Sequence, residues 1–293
     1  MNAVFGEIGK KLGEKWVLLL SLPGVLFVSL LTATAAVGGR DWARPEVRED
    51  LLHDAEQRVG QLSTHLTAAA ILLVGLLLAG YGTALLAQVC GAAVRGCWLS
   101  AAPFRWLMTW WLTPLRRALW QARDRRSAAA TTENARAAAA TARNAISLAP
   151  PARPTWMADR MAALTTRVRN AYGLDVEFSW PALRTLLPED LRRAVDDAQV
   201  AFERSAQLSG WGLLHLAAGA ATTAVGWHGW PMVVLGAASG TTGWVYGRTS
   251  AGALASLVET AYDLVADDLV AALTGRPTVA EGEQATETLR KGA

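Results

Sequence analysis

Residues 210–247 read GWGLLHLAAGAATTAVGWHGWPMVVLGAASGTTGWVYG, without one Asp, Glu, Lys or Arg. Trp211–Trp227 and Pro231–Gly247 sit at the short end of the ~17–25 residues a helix needs to cross a bilayer. Only His228-Gly229-Trp230 lies between them. Trp211, Trp227, Trp230 and Trp244 stand near the ends, where amphipathic rings favour the water–lipid boundary. The stretch predicts a membrane hairpin; a buried helical hairpin in a soluble protein is the alternative. Gly236/Gly240 and Gly243/Gly247 are two GxxxG pairs, which let a neighbouring helix approach closely. The protein's own preceding span is the expected neighbour, ahead of a second copy of the chain. His215 is the one titratable side chain well inside either helix, and an intramembrane ionisable group is a functional candidate. It lies near the expected cytoplasmic end, where it can also bond a neighbouring carbonyl.

Outward from the hairpin, composition agrees with a membrane setting. Of 293 residues 52% are hydrophobic and 18% charged, below the ~25% charge usual in soluble domains. The net charge is only +3, but between Gly91 and Gly210 there are 17 Arg against 10 Asp plus Glu, and no Lys. That bias marks the middle of the chain as cytoplasmic and suited to anionic lipid headgroups. It is too thin for a nucleic-acid stripe, so no nucleic-acid partner is expected. Cys90 and Cys97, seven apart on one helix face, form neither a disulfide framework nor a metal motif.

The chain opens with Lys10, Lys11 and Lys15 before the apolar run Trp16–Val37. With Ala33-Thr34-Ala35 this resembles a cleavable leader, but the run is long enough to remain as a first span. Residues 38–65 are polar and predict one short helix from Pro45 in an external loop. His53, Glu49 and Glu56 share helical spacing there, but interspersed arginines favour a solvated face over a metal site. Leu66–Val89 is the second span, with Gly75, Gly80 and Gly82 as small contact positions. Trp98, Phe104, Trp106, Trp110, Trp111 and Trp120 then mix with Arg95, Arg105, Arg116 and Arg117, a composition suited to the headgroup layer. Pro103 and Pro114 should break this stretch into short helices. Residues 123–154, alanine-rich and ending in Pro150-Pro151-Ala152-Arg153-Pro154, read as a spacer.

Residues 155–208 form the expected cytoplasmic module. Thr155 is a plausible helix N-cap and Gly173 a helix stop. Leu174–Ser179 reads as a connector before Trp180-Pro181. Pro188-Glu189-Asp190 opens a helix that runs towards the third span. The run Arg167-Val168-Arg169-Asn170-Ala171-Tyr172-Gly173-Leu174-Asp175, then Trp180-Pro181-Ala182-Leu183 and Leu186-Leu187-Pro188, resembles a segment shared by uncharacterised bacterial multi-pass integral-membrane proteins. A later Leu257–Leu264 stretch is similar to theirs as well. The resemblance covers roughly residues 154–273 and implies a module between two pairs of spans. It imports no activity. Where those proteins tend to follow tryptophan-proline with arginine and a second tryptophan, this chain has Ala182 and Arg184.

Beyond Arg248, residues 251–273 predict an amphipathic helix with Ser256, Glu259, Asp263 and Asp267 on its polar face. That face is expected against Arg184, Arg192 and Arg193, or against water. Residues 275–293 read as a loose tail.

No GxxxxGK[ST], GxSxG, HExxH or dinucleotide fingerprint is present, so neither an enzyme nor a cofactor is expected. The fold expectation is all-α: a four-span helical membrane protein with a helical cytoplasmic module between spans 2 and 3 and both termini cytoplasmic. The segments are 1–37, 38–65, 66–122, 123–154, 155–208, 209–248 and 249–293. The functional expectation is a non-enzymatic inner-membrane scaffold or signalling component. Tyr172, Gly173, Asp175, Trp180 and Pro181 are the residues expected to shape the module, as an internal turn with a buried tryptophan ahead of a surface that meets a cytoplasmic protein partner. Membrane lipids and a second copy of the chain are further expected partners. An oligomeric channel or transporter for a small solute or ion is the alternative, with His215, Thr222, Thr223, Ser239, Thr241 and Thr242 as its polar groups.

Overall fold

The computed structural model describes residues 22–40, 44–64, 66–100, 104–147, 149–275 and 278–291. The Lys10, Lys11 and Lys15 cluster, the choice between leader and retained span, and Pro103 lie outside the described residues. Every regular element among the described residues is an α-helix. These are α1 (Leu22–Val37), α2 (Pro45–Thr64), α3 (Leu66–Leu99), α4 (Phe104–Ala129), α5 (Glu133–Asn144), α6 (Trp156–Tyr172), α7 (Val176–Leu186), α8 (Glu189–Ala224), α9 (Trp230–Thr274) and α10 (Val279–Lys291). The chain divides into two compact units, one of residues up to Ala93 with Gln207–Gly243, the other of Val94–Ala206 with Trp244–Ala293.

Glycines set the helix crossings of the first unit. A Cβ at Gly24 of α1 would overlap the Gly80 carbonyl of α3. A Cβ at Gly210 of α8 would lie 2.5 Å from the Gly91 amide nitrogen, so α3 and α8 also meet backbone to backbone. Between α8 and α9, a Cβ at Gly212 would sit 2.7 Å from the Gly240 nitrogen and one at Gly236 2.7 Å from the Leu216 nitrogen. The Gly236/Gly240 pair therefore packs on the protein's own preceding helix. Gly75 and Gly82, expected as contacts beside Gly80, have nothing within 4 Å of an added Cβ among the described residues. His228 brings both its amide nitrogen and Nδ1 to 3.3 Å from the Gly38 carbonyl oxygen, tying the α8–α9 turn to the end of α1.

Among the described residues one helix, Thr67–Leu99, is long and apolar enough to cross a membrane, with mean hydropathy 2.2; α1 is apolar but shorter. The expected four spans are thus visible as one by length and hydropathy. Gly, Ser, Thr and Trp dilute the apolar character of residues 229–247. Only 11% of the α3 window is buried. Ile71, Leu72, Leu73, Val74, Leu78 and Val89 all point outward.

The second unit has an ordinary packed core. Leu164 and Val168 of α6, Leu174, Leu183 of α7, Val195 of α8 and Ala255, Ala261, Tyr262 and Ala266 of α9 are buried together. Each large apolar side chain so buried contributes about 1.5–3 kcal/mol. A second cluster joins Val94 and Trp98 to Met157, Phe202, Ala206 and Ala251. The Trp98 ring lies against Gly247, where a Cβ would overlap it.

Three elements of this unit differ from the sequence expectation. Pro114 does not break α4, which runs unbroken from Phe104 to Ala129; one proline removes one amide donor, and anchors further along the helix outweigh that. The segment read as a spacer folds as α5 and then as a strapped loop. Arg116 donates to the Ile146 carbonyl (2.7 Å), to the Arg153 carbonyl and to Asp159 (2.7 Å), while Trp120 Nε1 donates to the Ser147 carbonyl (2.9 Å). Residues 279–291 are no loose tail but α10, whose Ala285 and Thr286 are buried.

Candidate functional site

Thr155 caps α6, its hydroxyl accepting from the Ala158 amide. Seventeen residues of helix end at Gly173, which takes the left-handed conformation (φ 68°) open to glycine. A Cβ there would overlap the Val279 carbonyl of α10. Leu174 dives into the core, and Asp175 at once caps α7 by accepting from the Glu177 amide (3.0 Å). The expected connector is therefore only two residues long, and Trp180-Pro181 lie inside α7. Asp175 starts the helix early enough that Pro181 falls in its second turn.

Around this corner the motif residues converge on α9 and α10. Tyr262 is fully buried, its ring stacked near Tyr172 (centroids 6.5 Å apart) and tilted against Trp180 (6.2 Å). Ser179 Oγ lies 2.8 Å from the Tyr262 hydroxyl and donates to the Asp175 carbonyl (2.6 Å). Thr286 donates to the Gly173 carbonyl (3.3 Å) and accepts from the Asp175 amide (3.1 Å). Arg290 lies over the Phe178 ring at 4.9 Å.

A charged ladder fastens α6 to α9. Arg160 grips both Glu259 oxygens (2.7 and 3.0 Å) and reaches Ser256 (3.2 Å). Arg167 donates to Asp263 (3.1 Å), which also accepts from the Tyr172 hydroxyl (2.7 Å). The acidic face of α9 thus meets arginines of α6. Arg184 instead pairs with Asp196, and Arg192 and Arg193 with Glu189 and Asp190 of their own helix turn. The hydrogen bond from Arg160 holds the Glu259 carboxyl below its usual range, and the same bond raises the Arg160 guanidinium. Burial, with the bond to Asp263 second, pushes Tyr172 up to about 12. Burial also pushes Tyr262 up to about 12, Ser179 opposing. Both phenols stay protonated at neutral pH, and the carboxylates beside them are already engaged. This arrangement holds a shape.

On the outer side of α7 the surface opens. Trp180, Pro181, Arg184, Thr185 and Arg192 line a shallow groove of about 490 Å³. It is the accessible part of the motif: Pro181 is exposed and Trp180 half-buried. Of the predicted residues, Tyr172, Gly173 and Asp175 form the α6–α7 corner, and Trp180 and Pro181 form the groove. Sequence reasoning missed Tyr262, Arg160 and Thr286. Tyr262 was legible within the Leu257–Leu264 stretch; Thr286 carried no signal.

The other candidates are elsewhere. His215 places Nδ1 2.8 Å from the Trp211 carbonyl one turn back and its ring edge-on to Phe27 (4.9 Å). Thr222, Thr223 and Thr241 spend their hydroxyls on carbonyls of their own helices. Gly243 and Gly247 are buried. His53 pairs with Gln57 (3.1 Å), and among the described residues no cluster of His, Cys, Asp and Glu is arranged to hold a metal ion. No family model, curated protein or solved structure matches this chain.

Proposed function

We propose that the chain is a four-span protein of the bacterial inner membrane with cytoplasmic termini, and that its cytoplasmic helical unit is a non-enzymatic scaffold or signalling module. The bacterial membrane proteins it resembles would then be its relatives. The observation that carries the membrane half of this reading is α3, a long helix whose apolar side chains face outward. In water those side chains would be strongly unfavourable; in hydrocarbon they are in their preferred solvent. The glycine-seamed packing of α1, α3, α8 and α9 is the kind membrane helices use.

For the module, support comes from the division within the motif. The corner at Tyr172, Gly173 and Asp175 is spent on internal bonds, so it fixes α7; the groove beside Trp180 and Pro181 stays open, flanked by Arg184 and Arg192. A cytoplasmic protein segment suits that groove if it offers an apolar anchor and carboxylates that compete with Asp196 and Glu189 for the exposed Arg184 and Arg192 pairs. The channel alternative is weakened by the hydroxyls of Thr222, Thr223 and Thr241 and the imidazole of His215, which are engaged by carbonyls of their own helices.

A photoreactive amino acid at Thr185, in living cells, tests this reading. The expected result is a discrete protein adduct that Arg184→Glu with Arg192→Glu abolishes. No adduct, together with ion or solute flux from vesicles containing the purified chain, would replace the scaffold with a pore.

A further inference from the structure

Helix α4 is inside out for a helix of a water-soluble protein, whose polar side faces solvent. Its polar and cationic side faces the protein. Thr113 and Ser127 are buried, and Arg116, Trp120 and Arg123 donate to the Ile146, Ser147 and Ala142 carbonyls at 2.7, 2.9 and 2.8 Å. Its apolar side faces out. Trp111, Leu115 and Leu119 follow at four-residue intervals, all exposed, with Trp110 alongside and 72% exposed. Just past Leu119, Arg125 and Arg126 are exposed and have no hydrogen bond or ion pair among the described residues, whereas Arg116, Arg117 and Arg123 of the same helix are all bonded to protein.

We propose that this face of α4 lies in the headgroup layer of an anionic bilayer, with the Trp110 and Trp111 rings and Leu115 and Leu119 sunk among the upper acyl segments and Arg125 and Arg126 on lipid phosphates. The proposal rests on reading the chain as a membrane protein. Three features select lipid over a protein as occupant. The helix begins only a few residues in sequence beyond the candidate span Thr67–Leu99. The outward positions combine tryptophan with leucine, the composition of in-plane interfacial helices, whose apolar face reaches ~5–10 Å into the headgroup and acyl boundary. The two guanidiniums left without a carboxylate sit at one end of the apolar stripe, where a layer of phosphates supplies the missing charge.

Spin labels on the full chain test this. In a Cys90→Ser, Cys97→Ser background, labels are placed at Leu115→Cys and Leu119→Cys, with Leu78→Cys in α3 as reference. Each protein is reconstituted in vesicles of phosphatidylcholine with or without phosphatidylglycerol. Collision rates are then measured with oxygen, which enters lipid, and with a water-soluble nickel chelate. The expected result is oxygen exceeding nickel at 115 and 119, at shallower depth than at 78. Removing phosphatidylglycerol, or the pair Arg125→Gln and Arg126→Gln, should shift both labels towards nickel. Nickel-accessible labels at 115 and 119 with label 78 in lipid would overturn the α4 assignment and leave the membrane reading standing. A nickel-accessible label 78 would bring down both. Labels at 115 and 119 shielded from both reagents would mean that a second copy or another protein covers the face, which also overturns the proposal. Depth indifferent to lipid charge and to both arginines would remove its anionic component.

Discussion

Replacing Arg160 by methionine is expected to loosen the contact between α6 and α9 far more than a typical surface mutation would. Arg160 and Glu259 are only 14% and 13% exposed, and their two hydrogen bonds are short. Removing the guanidinium leaves the Glu259 carboxylate with Arg167 alone, at 3.5 Å and from a mostly exposed side chain. Stranding one member of a buried pair costs ~3–5 kcal/mol, and the remaining Arg167 contact places this case near the low end, about 3 kcal/mol. At 1.4 kcal/mol per tenfold, amide hydrogen exchange in α6 should accelerate by about two orders of magnitude wherever it proceeds through separation of α6 from α9. Arg184→Met is the control: its pair with Asp196 is 47% and 42% exposed. Exposed pairs are worth ~0–1 kcal/mol, so exchange there should change by less than about fivefold. The double substitution Arg160→Met with Glu259→Leu should recover most of the loss, because it removes the stranded charge. The sign of the pH dependence follows from Glu259. Its pKa is depressed in the folded state, so its contribution is present above the unfolded carboxylate range and lost as pH falls through the lowered value. The gap between wild type and Arg160→Met should therefore narrow in acid. Protection of α6 equal to wild type in Arg160→Met at neutral pH, or no recovery in the double variant, would refute the reasoning.

Three further outcomes are expected. Gly236→Leu should force α8 and α9 apart at the cost of about 1–3 kcal/mol, lowering the thermal midpoint in detergent; Gly75→Leu, with open space around it, should leave the midpoint in place. Gly173→Ala meets both the ~1–2 kcal/mol left-handed penalty and the Val279 carbonyl. Limited proteolysis within residues 279–291 should then be at least several-fold faster, and an unchanged cleavage rate would argue against α10 docking there. Phenolate absorbance should show two of the four tyrosines ionising only near pH 12, one of them lost in Tyr172→Phe. Because these folded-state values lie above the ordinary ~10, the stability they carry is full below pH 10 and lost as pH rises towards 12. Tyr172 and Tyr262 ionising near 10 would contradict the packing around Tyr262.

Local signals in the chain were readable where one residue has one physical job. Thr155 and Gly173 bound α6 as their cap chemistry dictates, and Gly236/Gly240 named the α8–α9 seam, whereas Gly247 lies against the Trp98 ring instead. The long polar stripe of α9 was also visible, as Glu259 and Asp263 at helical spacing. Its partners were not, because choosing Arg160 and Arg167 over Arg184 and Arg192 depends on how α6 lies against α9, which no periodicity encodes. Pro114, and the connector expected at Leu174–Ser179 ahead of Pro181, misled for a related reason. Each proline costs one backbone bond, and the anchors that outweigh them come from residues distant in sequence: Asp159 for α4, and Tyr262 with Thr286 for α7. The polar composition of residues 279–291 concealed the small residues Gly282, Ala285 and Thr286 that let α10 dock; a Cβ at Gly282 would overlap the Tyr172 carbonyl.

The second unit is discontinuous: Val94–Ala206 and Trp244–Ala293 build it, and Gln207–Gly243 interrupts it. Tyr262 and Glu259, which complete the corner at Tyr172 and Trp180, are translated only after that interruption. Nascent α6 and α7 must therefore wait, with Leu183 and Trp180 uncovered, until the intervening turn has reversed the direction of the chain. A chain that misplaces that turn leaves the apolar surface of Leu183 and Trp180 uncovered for longer, the condition in which partly folded chains aggregate.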